Sequence, residues 1–161
     1  MIVVSDTSPI TNLADVNQLN LLQQLYNNII IPEAVNLELT GVSVPVPGTV
    51  EVQTLDWIET RQVANRNLVT QLQQELDEGE AEAIALAIEL NANRLLIDER
   101  RGRSVASRLG VKFTGVLGIL IIAKHQGLIS EVKPVLDELI ITPEFRVAEQ
   151  LYFRILQDVG E

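Results

Sequence analysis

Two short aliphatic runs that each stop at an aspartate constrain this chain more than any other feature. Ile2-Val3-Val4-Ser5 ends at Asp6, and Leu95-Leu96-Ile97 ends at Asp98. Short apolar runs closed by polar groups read as buried strands, and segments with helical spacing separate them. Thr7-Ser8-Pro9 is a helix start, with Ser8 as N-cap and Pro9 in the first helical position. Leu13, Val16, Leu19, Leu22 and Leu25 then recur at roughly helical intervals. Ile29-Ile30-Ile31 is a further strand, closed by Pro32, which opens a helix over Glu33 to Leu39. Strands alternating with helices give an α/β domain whose sheet is mainly parallel, with roughly four or five strands.

The rest of the chain fits that alternation. Gly41 to Thr49 is a loop, and Val50 to Ile58 is ambiguous and is read as a strand. Leu68 to Leu76 is a helix that ends in the acidic turn Asp77-Glu78-Gly79. Glu80 to Leu90 follows, the strongest helix of the chain by propensity. Arg94 to Ile97 and Val111 to Phe113 are strands on either side of a short helix, Arg103 to Leu109. The apolar helix Gly115 to Gln126 is stopped by Gly127, and two more helices cover Ser130 to Ile140 and Glu144 to Val159, the last opened by Thr142-Pro143. The expectation is one domain over residues 1–161, a length that buries a proper core.

In open α/β sheets the functional crevice lies beyond the carboxyl ends of the strands, so Asp6 and Asp98 can be neighbours. Glu38 and Glu80 stand at the polar ends of other apolar segments that the same fold would gather. Two carboxylates about 4 Å apart repel by roughly 4 kcal/mol at an effective dielectric of about 20, so such a cluster needs protons or divalent cations. The chain has no cysteine and a single histidine, His125, read as a surface residue at a helix C-terminus. Carboxylates are therefore the plausible ligands, for hard cations such as Mg²⁺ or Mn²⁺. Triad chemistry is excluded by the want of a base for Ser8.

Each acid also has a structural alternative. Asp6 could lead into a helix cap, Glu38 could be a surface-helix residue, and Asp77 with Glu80 has the spacing of a capping box. Asp98 is the best single case, because packing explains it poorly; Glu99 beside it is a supporting ligand or a partner for Arg101 or Arg103. The net charge of −10 excludes a broad basic surface that coats nucleic acid. Five of the twelve Lys and Arg residues nonetheless fall just after Asp98: Arg100, Arg101, Arg103, Arg108 and Lys112. These read either as ion-pair partners of nearby acids or as a local phosphate contact. Aromatic residues at 4% give no base-stacking platform. The most apolar stretch, Val116 to Ala123, is too short for a membrane span, and Met1 leads straight into a strand without a basic leader, so a cytoplasmic protein is expected.

Several segments together resemble the PIN-domain superfamily of metal-dependent nucleases, and more narrowly its prokaryotic branch related to VapC-type toxins. They are Val3-Val4-Ser5-Asp6-Thr7-Ser8-Pro9, Ile31-Pro32-Glu33-Ala34-Val35 running on to Glu38-Leu39, Gly79-Glu80-Ala81-Glu82-Ala83-Ile84, Leu95-Leu96-Ile97-Asp98-Glu99-Arg100-Arg101-Gly102-Arg103, and Thr114-Gly115-Val116-Leu117-Gly118-Ile119-Leu120. The resemblance implies a three-layer α/β/α fold and places the four acids of the superfamily on Asp6, Glu38, Glu80 and Asp98. Many relatives carry Asp at the third position, so Glu80 departs in reach and Glu82 could share its role. The resemblance further implies one or two Mg²⁺ or Mn²⁺ ions, hydrolysis of RNA, a small antitoxin as partner, and a homodimer. In this reading Ser8, Glu82 and Glu99 are secondary site residues, and Arg101 or Arg103 contacts substrate phosphate. Two other readings stand beside it. A receiver-like phosphoacceptor domain shares the layout but wants an acidic pair after the first strand, where Ser5 precedes Asp6. A PIN scaffold that binds a partner and cleaves little agrees with the overall acidity.

Overall fold

The structure is a computed structural model that describes residues 1–161. Five strands form one sheet in the order β3-β2-β1-β4-β5, every neighbouring pair parallel. They are β1 (Val3–Ser5), β2 (Ile29–Pro32), β3 (Ile58–Arg61), β4 (Arg94–Leu96) and β5 (Phe113–Thr114). Ten helices join and cover them: α1 (Thr7–Asp15), α2 (Asn20–Tyr26), α3 (Glu33–Thr40), α4 (Thr49–Thr54), α5 (Arg66–Leu72), α6 (Glu78–Glu89), α7 (Arg100–Arg108), α8 (Val116–His125), α9 (Lys133–Ile141) and α10 (Glu149–Asp158).

The two-residue period of the strands sorts the apolar side chains into two cores. Val3, Ile29, Ile31 and Leu96 face one side, where α1, α2, α3, α8, α9 and α10 supply Leu13, Leu22, Val35, Leu120, Leu136 and Ile155. Val4, Ile30, Leu95 and Ile97 face the other, against Val69 of α5, Ile84 and Leu86 of α6, and Val105 of α7. Residues that alternate between two cores give continuous aliphatic runs, which is why Ile29-Ile30-Ile31 shows no polar face. The result is a three-layer α/β/α arrangement.

The chain winds outward from β1 to β3, then returns to the far side of β1 for β4 and β5. The direction of winding therefore reverses between β1 and β4, and a crevice opens beyond the carboxyl ends of such a pair. The register is Val3 with Arg94, Val4 with Leu95 and Ser5 with Leu96, extended by the Asp6 amide, which donates to the Leu96 carbonyl at 2.9 Å. The flavodoxin-like order of receiver domains is 2-1-3-4-5, so the receiver-like reading fails on topology.

Several local expectations need correction. The segment read as a strand over Val50 to Ile58 is helix α4 followed by the loop into β3, because the Gly48 amide donates to Glu51 Oε2 at 2.9 Å and opens a helix there. Helix α10 begins at Glu149 rather than Glu144, and Thr142-Pro143 follows α9 as a non-helical link instead of opening α10. The N-cap of α1 is Asp6 in extended conformation, so Ser8 already lies inside the first turn. No helix is long and apolar enough to cross a membrane.

The C-terminal helices belong to the larger core: Leu136 of α9 and Leu156 of α10 are buried in it. Leu136→Ala should cost about 2–5 kcal/mol, seen as a lower urea midpoint; an unshifted midpoint would show that α9 adds nothing to the fold.

Candidate active site

Strand β1 hands the chain to α1 through Asp6, only 3% exposed. Strand β4 runs on through buried Ile97 to Asp98. Since Ser5 pairs with Leu96, the two aspartates leave adjoining strands within one residue of the same level. Asp98 does have a structural task. Its Oδ1 accepts from the Val116 amide at 2.8 Å, the first residue of α8, and its Oδ2 lies 3.5 Å from Asn12 Nδ2. A carboxylate against a helix N-terminus satisfies an otherwise unpaired amide and suits the dipole.

The two glutamates arrive on helices. Pro32 leads into α3, whose Leu39 is buried and whose Glu38 faces outward. The Thr7 hydroxyl donates to Glu38 Oε2 at 2.6 Å, which holds α3 against the start of α1. Helix α6 is capped by Asp77, whose Oδ1 accepts from the Glu80 amide at 2.8 Å. That places Glu80 in the first turn, where the helix dipole favours its ionised form.

Electrostatics joins these groups into one cluster with Asp6 at its hub. Burial pushes the Asp6 carboxyl up to about 7; the Thr7 backbone amide opposes this, while the charges of Asp77, Glu38 and Asp98 add to it. Burial also pushes Glu80 up to about 8, reinforced by the Asp77 carboxyl beside it and by Asp6. Glu38 is raised by burial, offset by the Thr7 hydroxyl, with Asp77 and Glu78 repelling it. Burial raises Asp98 as well, against the Val116 amide, Asn12 and Arg103. Like charges and desolvation act together here to disfavour the ionised carboxylates.

Three glycines make room for the acids. A Cβ on Gly79 would collide with Glu38 Oε1. One on Gly102 would stand 2.5 Å from Ile97 Cδ1 and 2.9 Å from Glu80 Oε2, and one on Gly115 2.7 Å from Asp98 Oδ1. As the side chains stand, no three of the carboxylates are close enough to grip one ion. Their chemistry fits a hard divalent cation all the same. Every donor is an oxygen, and burial first, then neighbouring carboxylates, holds the Asp6 and Glu80 carboxyls well above the usual range, which a bound cation would oppose.

The remaining expected site residues divide. Glu82, offered as a substitute for Glu80, points elsewhere: its Oε1 accepts from the Ala34 amide at 3.0 Å and its Oε2 from Arg66 Nη1 at 2.8 Å. Two residues along a helix is roughly 200° around it, so Glu80 and Glu82 cannot serve one pocket. Ser8 makes none of the hydrogen bonds of the cluster; its neighbour Thr7 does. Glu99 stands at the N-cap position of α7 without a side-chain hydrogen bond to the helix, and its charge raises Asp98. Arg101 leaves the site, Nη1 donating to the Glu75 carbonyl at 3.2 Å, and Arg108 forms an ion pair with the Glu75 carboxylate at 2.7 Å. Arg103 stays beside Asp98, its guanidinium 4.9 Å from the centre of the Phe113 ring. Asp77 was expected only as a cap, yet its charge acts on Asp6, Glu38 and Glu80.

The raised carboxyls set the sign of a pH effect. Asp6 and Glu80 bind their protons more tightly folded than unfolded, so their contribution is complete below about pH 4 and fades as pH rises through about 7 and 8. In EDTA, the thermal midpoint should fall between roughly pH 5.5 and 8.5, and Asp6→Asn should flatten the fall. A midpoint that climbs across that window contradicts the assignment.

No curated protein matches the chain. A family described as a PIN domain matches residues 2–161, nearly its whole length and all five strands. PIN domains are generally nucleases that use divalent metals. By that match, and with the winding of its sheet and the acids at the reversal in agreement, the chain belongs to the PIN-domain family.

Proposed function

We propose that this chain, acting as one PIN domain over residues 1–161, is a metal-dependent ribonuclease. The observation that carries the reading is the Asp6 cluster, where Glu38, Asp77, Asp98 and burial all resist ionisation of one aspartate. Such an arrangement costs stability at neutral pH unless cationic charge enters it. Asp6 and Asp98 would hold a Mg²⁺ or Mn²⁺ ion directly, with Glu38 and Glu80 completing the shell or orienting the attacking water. When bound, the ion supplies charge against the carboxylates and the phosphodiester and makes a nearby water more acidic.

The protein does the rest. The Thr7 hydroxyl fixes Glu38, and the Val116 amide with Asn12 fixes Asp98, so two of the acids are oriented before substrate arrives. Gly102 and Gly115 leave space beside Glu80 and Asp98. Leu96 and Ile97, which lead into Asp98, are fully buried. Extended through the resemblance to VapC-type toxins, the proposal adds a small antitoxin as partner, a homodimer, and a cytoplasmic setting. A second reading, a scaffold that binds partners without cutting, draws on the net charge of −10, which steers RNA away.

A generic single-stranded RNA should be cleaved with Mn²⁺ and spared with EDTA. Asp6→Asn and Asp98→Asn should each lower the rate at least about a hundredfold. Cleavage that survives EDTA or both substitutions refutes the proposal, and wild-type protein that binds Mn²⁺ without cutting leaves the scaffold. Gly79→Ala gives a second check. Alanine gains up to about 1 kcal/mol of helix propensity, so the fold should hold while Mn²⁺ affinity in calorimetry drops roughly tenfold. Unchanged affinity would mean that Glu38 takes no part.

A further inference from the structure

The cations of this acidic chain are sorted by place. Of the twelve Lys and Arg residues, Arg61, Arg66, Arg108, Lys124 and Lys133 are ion-paired. Four of the others, Arg100, Arg103, Arg146 and Arg154, are exposed, have no carboxylate within 4.0 Å, and line a single groove of about 790 Å³. The groove begins at Asp98 and Asn12, in the crevice of the acid cluster, and runs along α8 to α10.

Two of these arginines stand where local physics disfavours them. Arg100 and Arg103 stand at the start of α7, where the one adjacent acid is Glu99 at the N-cap and none lies in the first turn, so their charges face the positive end of the helix dipole. Breaches of a local rule concentrate at functional positions. The Arg103 guanidinium also lies 4.9 Å from the centre of the Phe113 ring, a contact that restrains a planar fork suited to phosphate oxygens. Between the arginines the groove is apolar, with Leu117 and Ile121 of α8 and Leu151 of α10. Glu99, Glu144 and Asp158 share the lining with Asp98. The groove is therefore neutral in sum on a molecule that carries −10, so it repels a polyanion less than the net charge would.

We propose that this groove is the path of the single-stranded RNA that flanks the bond to be cut. Arg100 and Arg103 hold phosphates next to the acid cluster, Arg146 and Arg154 hold phosphates further along, and bases lie on the aliphatic floor between them. The inference rests on the nuclease reading for its substrate and adds residues from the C-terminal segment that the acid cluster alone does not indicate.

The test is fluorescence anisotropy of a short labelled single-stranded RNA on the full chain, with Ca²⁺ in place of Mg²⁺ or Mn²⁺ so that binding is separated from cleavage. Arg146→Ala with Arg154→Ala, both exposed and unpaired, should weaken binding roughly tenfold. The same pair should reduce the log–log salt slope by about 1.4, two phosphates at about 0.7 each. Arg61→Ala with Lys133→Ala, outside the groove, should change neither. Wild-type protein that binds no RNA, or a groove variant with unaltered affinity and slope, overturns the inference. Cleavage assays with Mn²⁺ keep the two proposals apart. Wild-type cleavage with an unmoved groove variant rejects the path and keeps the nuclease, whereas groove-dependent binding without cleavage keeps the path and rejects the nuclease.

Discussion

The parallel pairing of β1 with β4 is the constraint on which everything else in this molecule depends. It joins the first residues of the chain to a segment some ninety positions later and puts two aspartates at adjoining strand ends. No local propensity produces that neighbourhood; it follows from the chain returning to the opposite side of β1 after building the other half of the sheet. Once the pair exists, the helices that follow β1, β2 and β3 are obliged to pack on its flanks. Two of them present Glu38 and Glu80 to the same place.

The fold accepts a conflict there. Buried aliphatic residues stabilise the sheet from both faces, and that same burial strips water from the carboxylates at its edge. The offsetting groups are few and specific: one hydroxyl, the backbone amides of Thr7 and Val116, a side-chain amide, and the Arg103 charge beside Asp98. They orient the acids without neutralising them. A surface cluster of the same composition would relax by swinging into solvent, whereas this one is confined by strand ends and helix starts.

Much of this was legible in the sequence, and for a physical reason. Aliphatic runs of three or four residues leave few alternatives to a strand covered on both faces, so β1, β2 and β4 were found, and Asp6 and Asp98 with them. Ser8 is not the cap because the chain is still extended at Asp6 and the helix begins at Thr7, which puts Ser8 inside the first turn. After Gly48, Val50 and Val52 suggest a strand, while a cap contact from Glu51 decides for a helix. Glu82, two residues on from Glu80, is the weaker candidate because helix geometry turns it elsewhere, but its partners, the Ala34 amide and Arg66, are known only from the tertiary structure. The steric use of Gly79, Gly102 and Gly115 was out of reach, since each is matched to an acid distant in the chain. The sorting of arginines into paired and unpaired sets likewise needs the partner, which only the tertiary structure supplies.

Helix α6 is buried from Gly79 to Ala87, with alanines on either side of the fully buried Ile84 and Leu86 that seat it in the second core. The contacts of Glu82 with Arg66 and the Ala34 amide act as a rotational key. Because Glu80 sits half a turn away on the same rod, locking one carboxylate into the body of the protein aims the other out of it. The angular setting of the acid in the crevice is thus decided on the reverse side of the helix.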